Sequence, residues 1–147
     1  MSILDRTDVW REFSANPPAD SRAIEEFEAQ VRIQLPHDYV SFLRKMNGGE
    51  GNFGEAYLSM WNIDWSVKCH KFNVAEDNWP GFLAFGSDGG GEQFGFDLRA
   101  DAKEIVALPY VSTGWEDSIR VAPTFTIFLE VMYKFGPSAL FENQLTW

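Results

Sequence analysis

What the chain has least of already bounds its chemistry. Of 147 residues one is cysteine, Cys69, and two are histidine, His37 and His70. A lone thiol closes no intramolecular disulfide and builds no cysteine-rich zinc site. Two imidazoles leave few candidates for a general base. Basic residues are scarce too: 12 Lys plus Arg stand against 22 Asp plus Glu, a formal charge of -10. That sign repels a phosphate backbone, so direct nucleic-acid binding is not expected. No uncharged apolar run approaches the roughly 18 residues that a membrane-spanning helix needs. The opening Met1-Ser-Ile-Leu-Asp5-Arg6 reaches charge at once, unlike a signal peptide. The expectation is a cytoplasmic protein with no membrane partner.

What the chain has in excess is aromatic side chains, 16% of residues, with thirteen Phe and six Trp. They serve either a dense core or a binding face built on ring anchors. With 45% hydrophobic residues, a chain of this length can bury about 70% of its unfolded surface without a metal or disulfide. One domain over residues 1–147 is expected.

Spacing sets the elements. A short helix is predicted around Asp8–Phe13, capped by Thr7 and stopped by Asn16-Pro-Pro. A second, capped by Asp20 or Ser21, places Ile24, Phe27 and Val31 on one face. Pro36 opens a third, in which Tyr39, Phe42, Leu43 and Met46 form a stripe and Asn47-Gly48-Gly49 supplies a left-handed C-terminal cap. Beyond Gly49 the period becomes that of strands, at Tyr57–Trp61, Phe82–Phe85, Gln93–Asp97 and Glu104–Leu108, with Gly86–Glu92 as a glycine-rich hairpin connection. Ile63–Trp79 follows neither period cleanly and is assigned a strand with a short helix. A last helix starts at Pro123 or Thr124 and stops at Gly136-Pro137, leaving Ala139–Trp147 as a docked tail. Helices, then strands, then a helix predict an α+β fold.

Enzyme chemistry finds little footing. Gly86-Ser-Asp-Gly-Gly-Gly-Glu92 passes into a strand rather than a helix and lacks Gly-Lys-Ser/Thr, so it does not read as a phosphate loop. Asp88, Glu92 and Asp97 offer oxygen donors without an EF-hand spacing. Cys69-His70 has no second pair to complete a zinc site, and as strand neighbours the two would face opposite ways. His37 sits in the first turn of a helix, and no Gly-x-Ser-x-Gly elbow is present. No catalytic residue, metal or cofactor is expected.

The position of the acids is more informative. From Glu50 to Leu98 there are eight (Glu50, Glu55, Asp64, Glu76, Asp77, Asp88, Glu92, Asp97) against Lys68 and Lys71, so this third of the chain carries -6 of the -10. Trp61, Trp65 and Trp79 share the segment, and Trp115-Glu116-Asp117 forms a second acid–aromatic cluster. One reading is a solvated acidic face with tryptophans turned inward. The sharper one is a docking surface for a basic protein, made by Glu50, Glu55, Asp64, Trp65, Asp88, Glu92, Trp115, Glu116 and Asp117.

Three stretches in order carry a family likeness. Leu35-Pro36-His-Asp38-Tyr39 with Phe42-Leu43 and Asn47-Gly48-Gly49 comes first. Phe85-Gly86-Ser-Asp88-Gly89-Gly90-Gly91-Glu92 with Phe94-Gly95-Phe96-Asp97 follows, and then Ala122-Pro-Thr-Phe125 with Phe128-Leu129-Glu130. Together they resemble the SUKH superfamily, in the branch that includes the fungal cell-wall assembly regulators. The resemblance implies an α+β fold, a central mixed, mainly antiparallel sheet packed by N-terminal and C-terminal helices, and no catalysis. Most bacterial members are inferred to be immunity proteins that bind and neutralise a cognate polymorphic toxin domain, often a nuclease. Eukaryotic members act as regulatory interaction modules in cell-wall signalling. A short chain without long arms favours the bacterial type. The matched residues are fold determinants, and the contact residues are inferred from charge and aromatics alone.

Overall fold

The switch from helical to strand-like period is realised as seven strands and four helices in the computed structural model, which describes residues 2–112 and 114–137. The strands are β1 (Phe13–Ala15), β2 (Gly49–Phe53), β3 (Ala56–Met60), β4 (Phe82–Ser87), β5 (Glu92–Asp97), β6 (Ile105–Pro109) and β7 (Ile119–Ala122). They lie in chain order, each antiparallel to the next, so the sheet is a meander and these ladders contain no parallel pair. The helices are α1 (Ser21–Val31), α2 (His37–Lys45), α3 (Ile63–Ala75) and α4 (Phe125–Phe135).

Caps account for the helix starts. Asp20 accepts from the Ala23 N–H, Asn62 from Trp65 and Thr124 from Ile127, each satisfying a donor that the first turn leaves open. Ile24, Phe27 and Val31 of α1 and Tyr39, Phe42 and Leu43 of α2 bury the predicted stripes. Phe125, Phe128, Leu129 and Met132 of α4 do the same. They meet Phe85, Phe94 and Phe96 of the sheet in a continuous ring cluster. Tyr39 alone lies within 5.1–6.4 Å of Phe27, Phe42, Phe85, Phe96 and Phe125, centroid to centroid.

One carboxylate ties the two flanking helices. Asp38 Oδ1 accepts from the Tyr39 N–H at 2.9 Å, while Oδ2 accepts from Thr126 N–H at 2.8 Å and Thr126 Oγ1 at 2.9 Å. The acid therefore sits in the first turn of α2 and also satisfies the first turn of α4, where negative charge is favoured.

Four expectations are corrected. No helix forms around Asp8–Phe13: residues 7–12 are turns, Thr7 is exposed, and Phe13 opens the edge strand. Six residues between charges and Pro17-Pro18 are too few to repay helix nucleation. A turn delivers the same side chains inward, with Val9 buried and Trp10 on Phe53 at 4.6 Å. Ile63–Trp79 holds one 13-residue helix, α3, rather than a strand with a short helix, so Cys69 and His70 are helical neighbours. Its apolar residues lie on two sides, which blurs the period. Helix α2 closes through an extended Met46, and the left-handed residue comes later, at Gly48 (φ +77), where a Cβ would strike the Met60 and Trp61 backbone. Asn47 instead accepts from the Ile63 N–H at 2.9 Å and seats α3. Strands β1, β2 and β7 went unpredicted because they are short or glycine-bearing. The expected tail Ala139–Trp147 lies outside the described residues.

Replacing Asp38 by Ala strands three donors and is expected to cost about 1–3 kcal/mol in urea unfolding. Thr126→Val, which keeps the backbone bond, should cost less. At Gly95, whose Cβ would overlap the Leu83 carbonyl and the Phe82 ring, Gly95→Val is expected to lower the unfolding midpoint more than Asp38→Ala does.

Candidate protein-binding surface

The sheet has two faces, and they are covered unequally. Helices α1, α2 and α4 close the first. On the second, Trp61, Trp79, Phe82, Ala84, Val106 and Leu108 form a separate cluster, with Cys69 and Trp115 packed against it. Helix α3 reaches both. Ile63 and Val67 join the main core, while Trp65, Cys69 and Phe72 follow at i, i+4 and i+7 along another side. The link from α3 to β4 is held in a left-handed backbone at Asp77 (φ +56), Trp79 (φ +42) and Gly81 (φ +86). Two of these are not glycine, so the turn stores strain, and it presses Trp79 onto the sheet.

Between α3 and the sheet a groove of about 480 Å³ remains, lined by Trp61, Trp65, Phe72, Trp79, Gln93 and Tyr110 among others. Trp65 is 51% exposed and Phe72 60%, whereas Trp79 is 6% and Gln93 2%. Trp61 meets Trp65 edge-on at 6.4 Å and 82°. The Trp79 indole N–H and the Gln93 side-chain amide N–H₂ are buried with no hydrogen-bond partner. A shallower depression of about 370 Å³ continues past Trp61 and Trp65 to Glu50, Ser59 and Ser14.

Acids gather at both ends. Asp88 Oδ1 accepts from Gly90 N–H at 2.8 Å and Glu92 N–H at 3.3 Å, which closes the β4–β5 turn and fixes the carboxylate. Glu92 is half-buried, and its carboxyl pKa is raised, first by burial and then by the charges of Asp88 and Asp117. Its Oε2 has no partner. Tyr110, on the groove wall, lies near Asp88 and Cys69. At the other end Glu50 accepts from the Tyr57 hydroxyl at 2.8 Å.

Of the nine residues singled out from sequence, six lie at or near this groove: Trp65 on its wall, Glu50 in the adjoining depression, Asp88 near Tyr110, Glu92 and Asp117 as charge neighbours at that end with Glu92 on the strand face opposite Gln93, and Glu116 exposed beside Asp117. The other three do not. Asp64 lines the cleft between α1 and α3 with Lys68 and Lys71. Glu55 lies at the β2–β3 turn, its N–H donating to Tyr133 O at the end of α4. Trp115 is half-buried on Phe82, its indole N–H donating to Pro80 O at 2.7 Å and the Arg99 guanidinium 3.5 Å over its ring. It covers the second cluster rather than standing free. Sequence reasoning left out Phe72, Gln93 and Tyr110. Phe72 was legible as the residue one stripe along from Trp65, and Gln93 as the polar neighbour of Phe94 on the opposite strand face.

Cys69 lines the groove and His70 follows it on α3. Burial pushes the Cys69 thiol up, away from the thiolate, and lowers the His70 imidazole towards its neutral form. Among the described residues no group of three His, Cys, Asp or Glu side chains could hold a metal, and no helix is long and apolar enough to cross a membrane.

No curated protein matches the chain. A family model does, that of the SMI1 / KNR4 family (SUKH-1), over residues 18–131. The matched span runs from the approach to α1 into α4 and takes in β2–β7, α3 and the groove between them. On that match, together with an antiparallel sheet flanked by helices, the chain belongs to the SMI1 / KNR4 family (SUKH-1).

Proposed function

We propose that the protein is a non-catalytic, cytoplasmic immunity protein that binds and neutralises a basic toxin domain through the second face of its sheet. The observation that carries this reading is the juxtaposition of exposed rings and unneutralised acids around one groove. Trp65, Phe72 and Tyr110 are 51%, 60% and 44% exposed, and exposed rings clustered around a concave site mark an interaction surface. Five ion pairs neutralise acids elsewhere, at Asp5, Asp8, Glu26, Asp97 and Glu104. None reaches Glu50, Asp88, Glu92 or Asp117 among the described residues. Membership of a family with protein-binding members supports the same reading. A basic cleft, such as that of a nuclease, is the complementary surface, and the acids would take the place of its nucleic acid.

The direct test expresses a basic nuclease toxin domain, taken from the adjoining open reading frame where that frame encodes one, with and without this chain, scoring survival and co-purification. Co-purification without survival would indicate a scaffold instead. Reversing Glu50, Glu116 and Asp117 to Lys is expected to slow association about tenfold or more at low salt, with a smaller effect on dissociation. Reversing Glu25, Glu55 and Glu130, exposed on other faces, changes net charge equally and should slow it far less. Equal slowing by both triples, read by stopped flow, would remove the local steering argument.

Glu92 adds a pH signature. Its folded pKa lies above the ordinary 4.5, so in the free protein ionisation is disfavoured and stability falls as pH rises through that raised value. A cation docked beside it lowers the pKa again and expels a proton. Affinity is therefore expected to rise with pH through the range just above 4.5, and Glu92→Gln should flatten that rise in calorimetry.

A further inference from the structure

The groove itself says what part of a partner it takes. Its walls are rings, which favour an apolar side chain. Two of its lining residues, Gln93 and Trp79, each hold a side-chain N–H donor that has no partner and is closed to solvent in the free protein. Leaving such groups unmet is costly, and an incoming acceptor removes the cost. An anionic acceptor is disfavoured by Glu50 at one end and by Asp88, near Tyr110, at the other. Lys68 stands on the α3 wall, where the groove meets the α1–α3 cleft, and does not offset acids at both ends. A neutral acceptor on an apolar body, with positive charge before and after it, is the chemistry of a polypeptide backbone carbonyl in a basic-flanked segment. The shape agrees, because the 480 Å³ groove and the 370 Å³ depression adjoin at Trp61 and Trp65.

Resting on the protein-binding reading above, we propose that this trough receives an extended segment of the partner, an apolar side chain seated among Trp61, Trp65 and Phe72. Backbone carbonyls accept from Gln93 and Trp79 once those side chains turn toward the trough, and a Lys or Arg on each side meets Glu50 and Asp88. The groove is thus a recognition slot for a short linear stretch, and the acids outside it steer the folded remainder.

The probe is the hexapeptide acetyl-Lys-Lys-Leu-Phe-Lys-Lys-amide, titrated into the full chain while the Gln93 side-chain amide and the Trp79 indole are followed by nitrogen–proton NMR. Both resonances are expected to move saturably. Replacing the four flanking Lys by Glu, or Leu-Phe by Gly-Gly, should weaken binding about tenfold or more. Trp65→Ala, at a half-exposed helical position, should weaken it by a similar factor, and Gln93→Leu should weaken it as read by the Trp79 resonance. The proposal is overturned if no saturable shift occurs, if the Glu-flanked peptide binds equally, or if the Trp65→Ala protein binds as well as the native one. It is also overturned if the resonances move on dilution alone, which would make a second copy the occupant, or on deletion of residues 138–147, which would make it the chain's own end. Toxin protection that survives Trp65→Ala with Gln93→Leu sinks the slot and spares the immunity reading. Peptide binding without protection does the reverse.

Discussion

The three central strands are buried on both faces, and the molecule has one helix with which to cover the second. All six residues of β4 are buried, as are the middle four of β5 and the first four of β6, whereas β2 and β3 alternate buried and open positions. A strand buried on one face alternates, and a strand buried on both does not. The first face has no shortage of cover, with Phe and Tyr rings from α1, α2 and α4. On the second, α3 must pack against the main core through Ile63 and Val67 and also shelter β4–β6, and a single helix does not span both. The connection after it makes up part of the difference. Trp79 is forced inward by a strained turn, and Trp115 is laid over Phe82 and held by Arg99. Where the cover stops, the groove begins.

This division explains why a chain with so many aromatic residues has both a dense core and an exposed ring surface. Phe is almost wholly interior, while the tryptophans divide: Trp61 and Trp79 are buried, Trp10 and Trp115 lie partly covered, and Trp65 stands out. Among the described residues the exposed phenylalanines are Phe72 and Phe135, and Phe72 lies on the same side of α3 as Trp65. An apolar ring at a solvent-facing helical position gains nothing for the isolated fold. On the proposed reading, its place beside the unpartnered Gln93 amide makes the groove the docking site. Neither a better-packed core nor a more soluble surface would produce that pairing.

The sequence carried most of the first face and little of the second. Helices α1, α2 and α4 were legible because each has a cap or a proline at its start and one apolar stripe. Strands β3–β6 were legible because aromatic and branched residues end at Gly, Asp or Pro. Helix α3 was not, since a helix apolar on two sides has no single period. The turn at Asp8–Phe13 mimicked a helix through chance spacing of Val9, Trp10 and Phe13. For the proposed surface, composition pointed to one third of the chain but not to a place. Glu55 and Asp64 belong to the acid-rich segment and yet fold to other surfaces, because strand reversal at Gly54 and rotation about α3 separate sequence neighbours. Trp115 looked like an anchor in sequence, and its indole bond to Pro80 could be found only in three dimensions.

Electrostatics then decides the direction in which the free energy of this face can move. With only 12 basic residues for 22 acids, some carboxylates must go without a cation, but nothing in composition says which. The chain pairs Asp97 with Arg99 and Glu104 with Arg120 at the far strands, holding Asp97 below its ordinary pKa, and leaves Glu92 facing Asp88 and Asp117 with its own pKa raised. The same sheet therefore stabilises charge on one strand end and opposes it on the other. A repulsive trio beside an apolar trough is a poor arrangement for a protein that acts alone, since burial and like charge both work against it. It becomes favourable once a cation arrives, because the desolvation is already in place and the new pair forms at lower dielectric than at an open surface. Repulsion in the free state and, on the proposed reading, attraction to a basic partner are two consequences of one geometry, set by an Asx-closed hairpin that holds Asp88 fixed while Glu92 starts the next strand.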